Sequence, residues 1–429
     1  MRVRTSSLVG PVACAAGALL AGCGFSQSHS ITHGHPATTT AALTASSSSV
    51  VYQWGQFGGG GPRLGTGPER ALRGSPDGVG PVQWAPTVVR GLSGTIVQIA
   101  TSNSDSYALT AGGAVYAWGA GAQGELGNGT LPQVSMHAVR VDLPPGVRIR
   151  ALSNPMPYDG GMAIATNGTV WAWGNDLSRE FCRPVGGILA TPIPVALPRV
   201  SLAVGALRHA IYDSAGRVVS CGAGPVGQLG NGTRGRLART GTPVAVQGLP
   251  AGPVAALTSG WGNAGALMAD GRYYDWGYNR SGQVGDGTRA VATSAVQVVL
   301  PRPVAHVFQG GSYGDNGQTI ALLSGGGTWE WGNGRFGQLG DGARHSALLP
   351  IRLSALRGAG LMTVSSGGST TYAVGRSGGL WAWGNNRLGQ VGDGSLARAQ
   401  LTPVKDAVRV AQVSSTAHNV AALALPGGE

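Results

Sequence analysis

A segment of roughly 55 residues recurs along this chain, and every copy contains a short apolar strand that ends in tryptophan and glycine or a close variant. The seven strands read VVYQWG, AVYAWG, TVWAWG, RVVSCG, RYYDWG, GTWEWG and GLWAWG. Their anchor residues, which precede the final glycine, are Trp54, Trp118, Trp173, Cys221, Trp276, Trp331 and Trp383. A fixed period of this length indicates a repeat fold in which each copy forms one supersecondary unit.

Each unit has the pattern of a small antiparallel sheet. In the second copy, residues 97–100 alternate like a strand, residues 107–110 form another, and a Gly-Gly turn leads into the strand that ends at Gly119. Such a sheet has two apolar faces, so neighbouring copies must cover it. Antiparallel repeat sheets do this by closing into a ring of about four to eight blades, and we expect the anchor tryptophans to fill the space between blades.

The composition agrees with many turns between short strands. The chain has 75 glycines and only 11% charged residues, which excludes long amphipathic helices, and it has no Gly-X-Y period typical of collagen. Behind most anchors lies a second glycine-rich signature, for example GAQGELGNGT and GRFGQLGDGA. Its Asn-Gly and Asp-Gly pairs favour turns with positive φ and carry too few carboxylates for a calcium loop.

The two ends of the chain complement each other. After residues 420–425 and a Pro-Gly-Gly turn, no further Trp-Gly strand follows, whereas every other such turn leads into one. Residues 50–54 supply a strand of this kind at the other end. We therefore expect an all-β, seven-bladed β-propeller whose last blade is completed by the N-terminal strand, which removes both sheet edges.

These repeats resemble those of the regulator of chromosome condensation family, whose unit has a strand ending in Trp-Gly and then a Gly-Gln-Leu-Gly loop, and folds as a seven-bladed propeller. WGNGRFGQLGDG and WGNNRLGQVGDG match this pattern closely, and the resemblance covers residues 50–429. Three segments depart from it: WGNDLSREFCRPVGG lacks Gly-Gln-Leu-Gly, Cys221 replaces a tryptophan, and FGGGGPRLGTG follows Trp54.

The resemblance implies a binding platform. The founding member of the family is a nuclear exchange factor for a small GTPase, and we do not expect that role to transfer to an exported chain. Exported bacterial relatives include propeller inhibitors of β-lactamases, which bind an enzyme with the loops of one face.

The first residues have the features of an export signal. Arg2 and Arg4 precede an apolar stretch, residues 8–20, that is too short for a typical membrane span. It ends in Leu-Ala-Gly-Cys at Cys23, which resembles the lipobox of bacterial lipoproteins. The resemblance implies cleavage before Cys23 and attachment of diacylglycerol, with acyl chains such as palmitate. The expected domains are a signal peptide at 1–22, a lipidated Ser/Thr-rich tether at 23–49 and the propeller at 50–429.

These features predict a protein that is lipid-anchored at the cell membrane and faces outside the cytoplasm. Such a compartment permits a disulfide between Cys182 and Cys221, although two free buried thiols agree equally well with the sequence. The tether also holds His29, His33 and His35, which we interpret as solvated residues rather than a metal site.

The formal net charge is +12, and 29 of the 30 basic residues are arginine. The arginines are scattered along the sequence, so we interpret the charge as a compositional bias and expect no nucleic-acid partner. The expected partners are another protein outside the cytoplasm and, through the lipid, the membrane. We expect a monomer that uses no cofactor and no metal.

Two further functions are compatible with a propeller. A lyase or glycosidase acting on an envelope or extracellular polymer needs paired carboxylates or a metal, and Asp105, Asp159 and Asp315 could meet at one end of the ring. Loop aspartates are more often turn residues, so we expect a scaffold without catalytic residues. A structural envelope protein without a defined ligand is the third alternative.

Strand direction predicts which end of the ring carries the binding site. The loop before Tyr107 and the loop after Trp118 open on one face, while the Gly-Gly turns lie on the other. Around the ring, the first loop type holds Asp105, Tyr158, His209, Trp261, Tyr313 and His418, and the second holds Phe57, Phe181, Arg280, Arg335, Phe336 and Arg387.

Aromatic residues and arginines dominate binding hot spots. We therefore predict partner binding by Trp261, Tyr313, Tyr158, His209, Arg280, Arg335, Phe336 and Arg387. Trp261, which stands between two glycines, is the strongest candidate. Burial of Phe336 and the histidines inside the blades is the alternative.

Overall fold

The computed structural model describes residues 50–56, 82–103, 105–311, 317–354, 356, 360–387, 389–392, 399–403, 409–416 and 419–424. The chain divides into a unit of residues 1–36 and a unit of residues 37–429, and every described residue belongs to the second. Across these described ranges, no helix is long and apolar enough to span a lipid bilayer.

The described residues form seven antiparallel sheets of four strands each. At the N-terminal side lie β1 (Val51–Gln56) and β2 (Val82–Val88). Blade 1 contains β3 (Ile96–Thr101), β4 (Asp105–Thr110), β5 (Val115–Gly121) and β6 (Gln133–Arg140). Blade 2 contains β7 (Ile149–Leu152), β8 (Gly160–Ala165), β9 (Val170–Asn175) and β10 (Ile188–Pro194). Blade 3 contains β11 (Val200–Ala206), β12 (His209–Ser214), β13 (Arg217–Ala223) and β14 (Arg239–Ala245).

The remaining blades repeat the same order of strands. Blade 4 contains β15 (Val254–Ser259), β16 (Asn263–Met268), β17 (Tyr273–Gly277) and β18 (Ala292–Val298). Blade 5 contains β19 (Val304–Gly310), β20 (Gln318–Leu323), β21 (Thr328–Gly332) and β22 (Ala347–Leu353). Blade 6 contains β23 (Leu361–Gly367), β24 (Thr370–Gly375), β25 (Leu380–Gly384) and β26 (Ala399–Pro403). Blade 7 begins with β27 (Val410–Ser415) and β28 (Asn419–Ala424).

Blade 7 draws its strands from both sides of the described chain. Its order is β2-β1-β28-β27, and β1 pairs antiparallel with β28 so that Val51 lies opposite Leu423 and Trp54 lies opposite Val420. The inner strand β27 in turn contacts blade 1, because the side-chain amide of Gln412 exchanges hydrogen bonds of 3.0 and 3.1 Å with the backbone of Ile99. Seven sheets thus follow one another around a ring, as expected for a seven-bladed propeller.

The fourth strand of each blade was not indicated by the sequence pattern. In blade 2 it reads ILATPIP and alternates poorly between buried and exposed positions. This strand lies at the outer edge of its sheet, where one neighbour is solvent, so it needs no strong apolar pattern. The three inner strands, by contrast, were predicted because burial on both faces imposes apolar residues.

The anchor tryptophans fill the space between blades, as predicted. All six are fully buried, with no measurable exposed fraction: Trp54, Trp118, Trp173, Trp276, Trp331 and Trp383. Trp173 of blade 2, for example, packs with Leu126, Val115 and Leu152 in a cluster shared with blade 1. Six of the seven interfaces between blades are therefore apolar cores that are each centred on one indole ring.

Each indole nitrogen also donates a hydrogen bond to the preceding blade. Five acceptors are backbone carbonyls seven residues after the previous anchor: Gln390 for Trp54, Glu125 for Trp173, Gln228 for Trp276, Gln283 for Trp331 and Gln338 for Trp383, at 2.8–3.0 Å. Trp118 instead donates to the side-chain oxygen of Gln53 in blade 7. A buried indole N–H without a partner costs about 1–3 kcal/mol, so the bond fixes where the tryptophan can sit.

The glycine-rich signature after each anchor forms the acceptor side of the hydrogen bond from the indole of the next blade. In GQVG of blade 4, the carbonyl of Gln283 accepts from Trp331, Val284 is buried, and Gly285 lies against the indole. A Cβ on Gly285 would lie 2.7 Å from the indole nitrogen, and its φ of +75° also favours glycine. The signature therefore forms the socket for the next blade's tryptophan.

Blade 3 lacks the tryptophan, and three residues replace it. Cys221 stands at the anchor position and forms a disulfide with Cys182, which occupies the socket position of blade 2 that is glycine elsewhere. Tyr212, on the same face of the sheet as Cys221, donates a hydrogen bond of 2.8 Å to the carbonyl of Glu180. This carbonyl lies seven residues after Trp173, the position that accepts from tryptophan in the other blades.

The loss of the tryptophan in blade 3 is accompanied by changes at three positions, 182, 212 and 221. Where the anchor is tryptophan, the residue that corresponds to Tyr212 is alanine: Ala108, Ala163, Ala266, Ala321, Ala373 and Ala422. The tyrosine ring takes the volume that the indole leaves, and the disulfide joins the socket to the anchor covalently. Of the two states that the sequence left open for these cysteines, the structure has the disulfide.

Breaking the covalent link between blades 2 and 3 should destabilise the propeller. Cys221→Ser opens a disulfide between residues 39 positions apart, and we expect the free energy of unfolding to fall by about 2–4 kcal/mol. Thermal unfolding followed by circular dichroism, with and without dithiothreitol, measures this. Reductant should lower the melting temperature of the unaltered chain towards that of Cys221→Ser and leave the variant unchanged.

A triple variant is the matched control for this experiment. Cys182→Gly, Tyr212→Ala and Cys221→Trp together give blade 3 the residues that the other blades carry at these positions. Its melting temperature should not respond to reductant and should exceed that of Cys221→Ser. Equal melting temperatures for these two variants would contradict the idea that the cysteines and Tyr212 replace a tryptophan contact.

Candidate functional site

Two sets of loops meet at the same end of the ring. All sheets are antiparallel, so the loop between the first and second strands and the loop between the third and fourth strands open at one end of each blade. The turns between the second and third strands, such as Ala111–Ala114, and the connections between blades lie at the opposite end. This arrangement agrees with the predicted direction of the strands, and we call the first end the loop face.

An axial cavity opens on the loop face. Its volume is about 50 Å³, and it is partly open to solvent. Every blade contributes residues from the end of its first strand or the loop that follows: Ser102, Tyr158, Leu207, Trp261, Phe308, Ser366 and Ser415 represent blades 1 to 7. The wall therefore combines aromatic rings with hydroxyl groups, a mixture suited to contact with an amphipathic side chain of a partner.

Two of the predicted binding residues, Tyr158 and Trp261, line this cavity. Trp261 is half-buried and packs edge-on against Tyr278, with the ring centroids 5.8 Å apart. Burial, with a smaller contribution from the charge of Asp159, raises the pKa of Tyr158 to about 12, so its hydroxyl remains a hydrogen-bond donor at neutral pH. Both side chains thus form part of the cavity wall.

Four more predicted residues lie on the outer loops of the same face. Arg280, Arg335 and Arg387 are exposed, and Phe336 is half-buried. The guanidinium carbons of Arg335 and Arg387, from neighbouring blades, both lie 6.0 Å from the centre of the Phe336 ring. The structure therefore brings together three residues that the sequence could only place separately, and it presents two cations around one aromatic ring.

His209 does not belong to the exposed site, which corrects the prediction. Its side chain is fully buried, and its ring nitrogens lie 3.2 Å from the carbonyl of Leu207 and 3.0 Å from the hydroxyl of Ser259. Burial lowers the pKa of His209 to about 4, so the ring is neutral at physiological pH. Its ring therefore connects blades 3 and 4 through Ser259.

Two residues that we assigned to the loops of this face are also buried. Phe181 is fully buried because it stands at the position of the buried leucine in the socket signature, one residue after Glu180. Asp105 begins β4 and is fully buried as well, so it cannot pair with Asp159 as an accessible carboxylate. Four further predicted residues lie outside the described part of the chain: Phe57, Tyr313, Asp315 and His418.

Buried carboxyl groups lie behind the loop face in blades 1 and 2. Burial raises the pKa of Glu125 to about 7 and that of Glu180 to about 8, and the negative charge of Asp159 adds to the effect at both. The carboxylate of Glu125 accepts a hydrogen bond of 2.6 Å from the backbone of Gln123. These groups therefore support the loops, and within the described ranges no three His, Cys, Asp or Glu residues are placed to hold a metal ion.

Exposed aliphatic residues on the loop face were missed by the sequence analysis. Leu131, Leu177, Val185 and Leu237 lie in the third-to-fourth-strand loops of blades 1 to 3, and Leu237 is 94% exposed. An apolar residue within a polar, glycine-rich loop is a usable signal for such a position. The signal is ambiguous, because other loop leucines of the repeat, such as Leu126, are buried.

Comparisons with known proteins agree with this architecture. Residues 325–374 match the family model described as the regulator of chromosome condensation (RCC1) repeat. E3 ubiquitin-protein ligase HERC2 of Homo sapiens is 27% identical over 316 residues, which covers 70% of this chain but only 6% of that protein. Ultraviolet-B receptor UVR8 of Arabidopsis thaliana is 29% identical over 327 residues, which covers 74% of this chain and 68% of the receptor.

Solved structures show the same fold at low sequence identity. Human WBSCR16 superposes with a TM-score of 0.74 at 19% identity and covers 88% of this chain and 99% of its own. Prp20p of Saccharomyces cerevisiae is described with its binding properties to Gsp1p and histones. It superposes with a TM-score of 0.71 at 20% identity, and the match covers 89% of this chain and 92% of Prp20p. The seven four-stranded sheets and the solved structures agree that this chain is a seven-bladed β-propeller, and its residues 325–374 match the repeat of the regulator of chromosome condensation family.

Proposed function

We propose that this chain is a scaffold that binds another protein through the loop face, and that it is not an enzyme. The axial cavity is the observation that carries the proposal, because all seven blades contribute to a single opening. Tyr158 and Trp261 on its wall, and Arg335 and Phe336 on the loops around it, are of the residue types that dominate binding hot spots. Prp20p, which has this fold, binds proteins, and this supports the same class of function here.

Site-specific photo-crosslinking tests which face binds the partner. A photoreactive phenylalanine analogue at Leu237 on the loop face should capture a protein in the intact cell. The matched control is Val299, which is 80% exposed and lies in the connection between blades 4 and 5, at the opposite end of the ring. We expect a crosslinked species from position 237 and none from position 299, because only the loop face contacts the partner.

A substitution on the cavity wall completes this test. Trp261→Ala should reduce the yield of the crosslinked species at least about tenfold, because a central aromatic contact is often worth 2 kcal/mol or more. Its melting temperature, measured in parallel, should fall by no more than a few degrees. Equal crosslinking from positions 237 and 299 would refute the assignment of the face, and crosslinking from neither would refute protein binding.

We further propose that the propeller is attached to the outer side of a cell membrane through a lipid on Cys23. Cys23 lies outside the described residues, so the support comes from the sequence LAGC behind a charged and apolar leader. The disulfide between Cys182 and Cys221 also supports an oxidising compartment, since such bonds rarely persist in the cytoplasm.

Removal of the lipid acceptor tests the anchor. In a bacterial host, Cys23→Ala should move the protein from the membrane pellet to the soluble fraction and abolish its labelling by a clickable palmitate analogue. Cys14→Ala, in the leader, is the control and should leave both unchanged. Labelling that persists in Cys23→Ala would rule out this anchor.

We propose, in addition, that the N-terminal strand closes the ring. Trp54 of β1 donates to the carbonyl of Gln390 in blade 6, and Gln53 accepts from Trp118 and donates to Ser106 in blade 1. A single strand thus supplies contacts to both neighbouring blades. Without it, β28 would have an unpaired edge, and two interfaces would lose their central contact.

Two deletions in a Cys23→Ala background test the closure. Deleting residues 50–56 should lower the free energy of unfolding by several kcal/mol, because it removes a fully buried tryptophan and a strand pairing. Deleting residues 24–49 should have almost no effect on thermal unfolding. If both deletions give the same melting temperature, the N-terminal strand does not close the ring.

A further inference from the structure

The third-to-fourth-strand loops divide the loop face into two chemically different arcs. Blades 3 to 6 carry exposed arginines that form the arginine arc: Arg234, Arg236, Arg280, Arg335, Arg344 and Arg387. Blades 1 to 3 carry exposed aliphatic side chains that form the aliphatic arc: Leu131, Leu177, Val185 and Leu237. The arcs meet in blade 3, where Leu237 directly follows Arg236.

The arginine arc lacks compensating negative charge. Among the described residues, none of its members forms an ion pair with a carboxylate. The described carboxylates in the same loops are Asp286 and Asp341, and both accept backbone hydrogen bonds of 2.9 Å within their turns, from Thr288 and Ala343. The arginines of the arc outnumber these two carboxylates, so the described residues of these loops carry a net positive charge that attracts acidic groups.

Two arginines of the arc are held in place without a carboxylate. The backbone N–H of Arg335 donates to Asn333 at 2.9 Å, and that of Arg387 donates to Asn385 at 3.2 Å. Both guanidinium groups then approach Phe336. Since the loops fix their backbones and no acid in the described ranges pairs with them, these cations can contact an acidic partner.

The aliphatic arc indicates that the partner is a protein. Leu237 is 94%, Val185 72%, Leu177 58% and Leu131 44% exposed. Grouped apolar side chains on a loop surface are typical of a protein interface. Aliphatic side chains would gain little from the phosphate backbone of a nucleic acid, so these four residues favour a protein partner.

We infer that the partner is an acidic protein whose carboxylate-bearing surface contacts blades 3 to 6 and whose apolar surface contacts blades 1 to 3. This inference rests on the proposed function, since it specifies the chemistry of the partner at the same face. Because the two arcs occupy different blades, they also fix the orientation of the partner around the ring. The acidic and apolar surfaces of the partner would meet over blade 3.

Labelled peptides and fluorescence anisotropy test this inference on the full-length chain. The probes are a peptide of glutamate and leucine, the same peptide with lysine for glutamate, a glutamate–serine peptide, and an oligothymidylate of equal length. We expect the glutamate–leucine peptide to bind most tightly and its affinity to fall as sodium chloride is raised, because salt screens exposed charges.

Two triple variants with equal loss of charge locate the binding. Arg280→Gln, Arg335→Gln and Arg387→Gln together should weaken binding of the glutamate–leucine peptide about tenfold. Arg148→Gln, Arg217→Gln and Arg302→Gln remove three exposed arginines from the opposite end and should weaken it less than about twofold. Leu131→Ser with Leu237→Ser should weaken that peptide and leave the glutamate–serine peptide unaffected.

Distinct outcomes would overturn this inference and the proposed function. Equal effects of the two triple variants, or tighter binding of oligothymidylate than of the acidic peptide, would overturn the inference. Crosslinking from position 237 that is unchanged in the arginine triple variant would also overturn it, while leaving protein binding intact. Absence of any crosslink in the otherwise unaltered chain would instead refute the proposed function.

Discussion

The hydrogen bond from the buried indole of each anchor tryptophan to the preceding blade is the contact on which the ring depends. A single four-stranded sheet has two apolar faces and cannot persist alone, so each interface needs a large side chain to fill it. Tryptophan fills the volume, and its one polar atom must find an acceptor. Because Gln338 and its counterparts offer a carbonyl at a fixed place, the bond sets both the spacing and the rotation of adjacent blades.

The same contact explains how the loop face becomes rigid enough to bind. The residues that form the socket are also the base of the third-to-fourth-strand loop. In blade 5, the side chain of Gln338 accepts from the backbone of Phe336 at 2.9 Å, while its carbonyl accepts from Trp383. Gln338 thus connects the tryptophan contact between blades 5 and 6 to the loop that carries Arg335. Side chains on such a loop lose less conformational freedom on binding than those on a mobile loop.

The strands that are buried on both faces could be predicted from the sequence, because apolar residues must recur there in every copy. The outer strand of each blade could not, since one of its neighbours is solvent. For the site, strand direction correctly placed Trp261, Tyr158 and Arg335 at one end of the ring. It failed for His209, because the residue that begins a strand can turn its side chain inward, and no local pattern of the sequence records this.

The residues that replace the anchor tryptophan in blade 3 could be predicted from the sequence only in part. Cys221 was visible as a missing tryptophan, but its relation to Cys182 depends on counting nine residues from Trp173 to the glycine position of the socket. Tyr212 carries no signal unless it is compared with the alanines of the other blades. Such a change acts through volume and hydrogen bonding across an interface, so it is recognised only when three distant positions are considered together.

The acceptor for tryptophan in five interfaces is a main-chain oxygen, which every amino acid possesses. The side chains that surround it on the exposed part of the loop can therefore be exchanged with little effect on the assembly of the ring. Selection can diversify the loops of one blade independently of the next, and a library randomised at these exposed positions would yield new recognition specificities on an unaltered architecture.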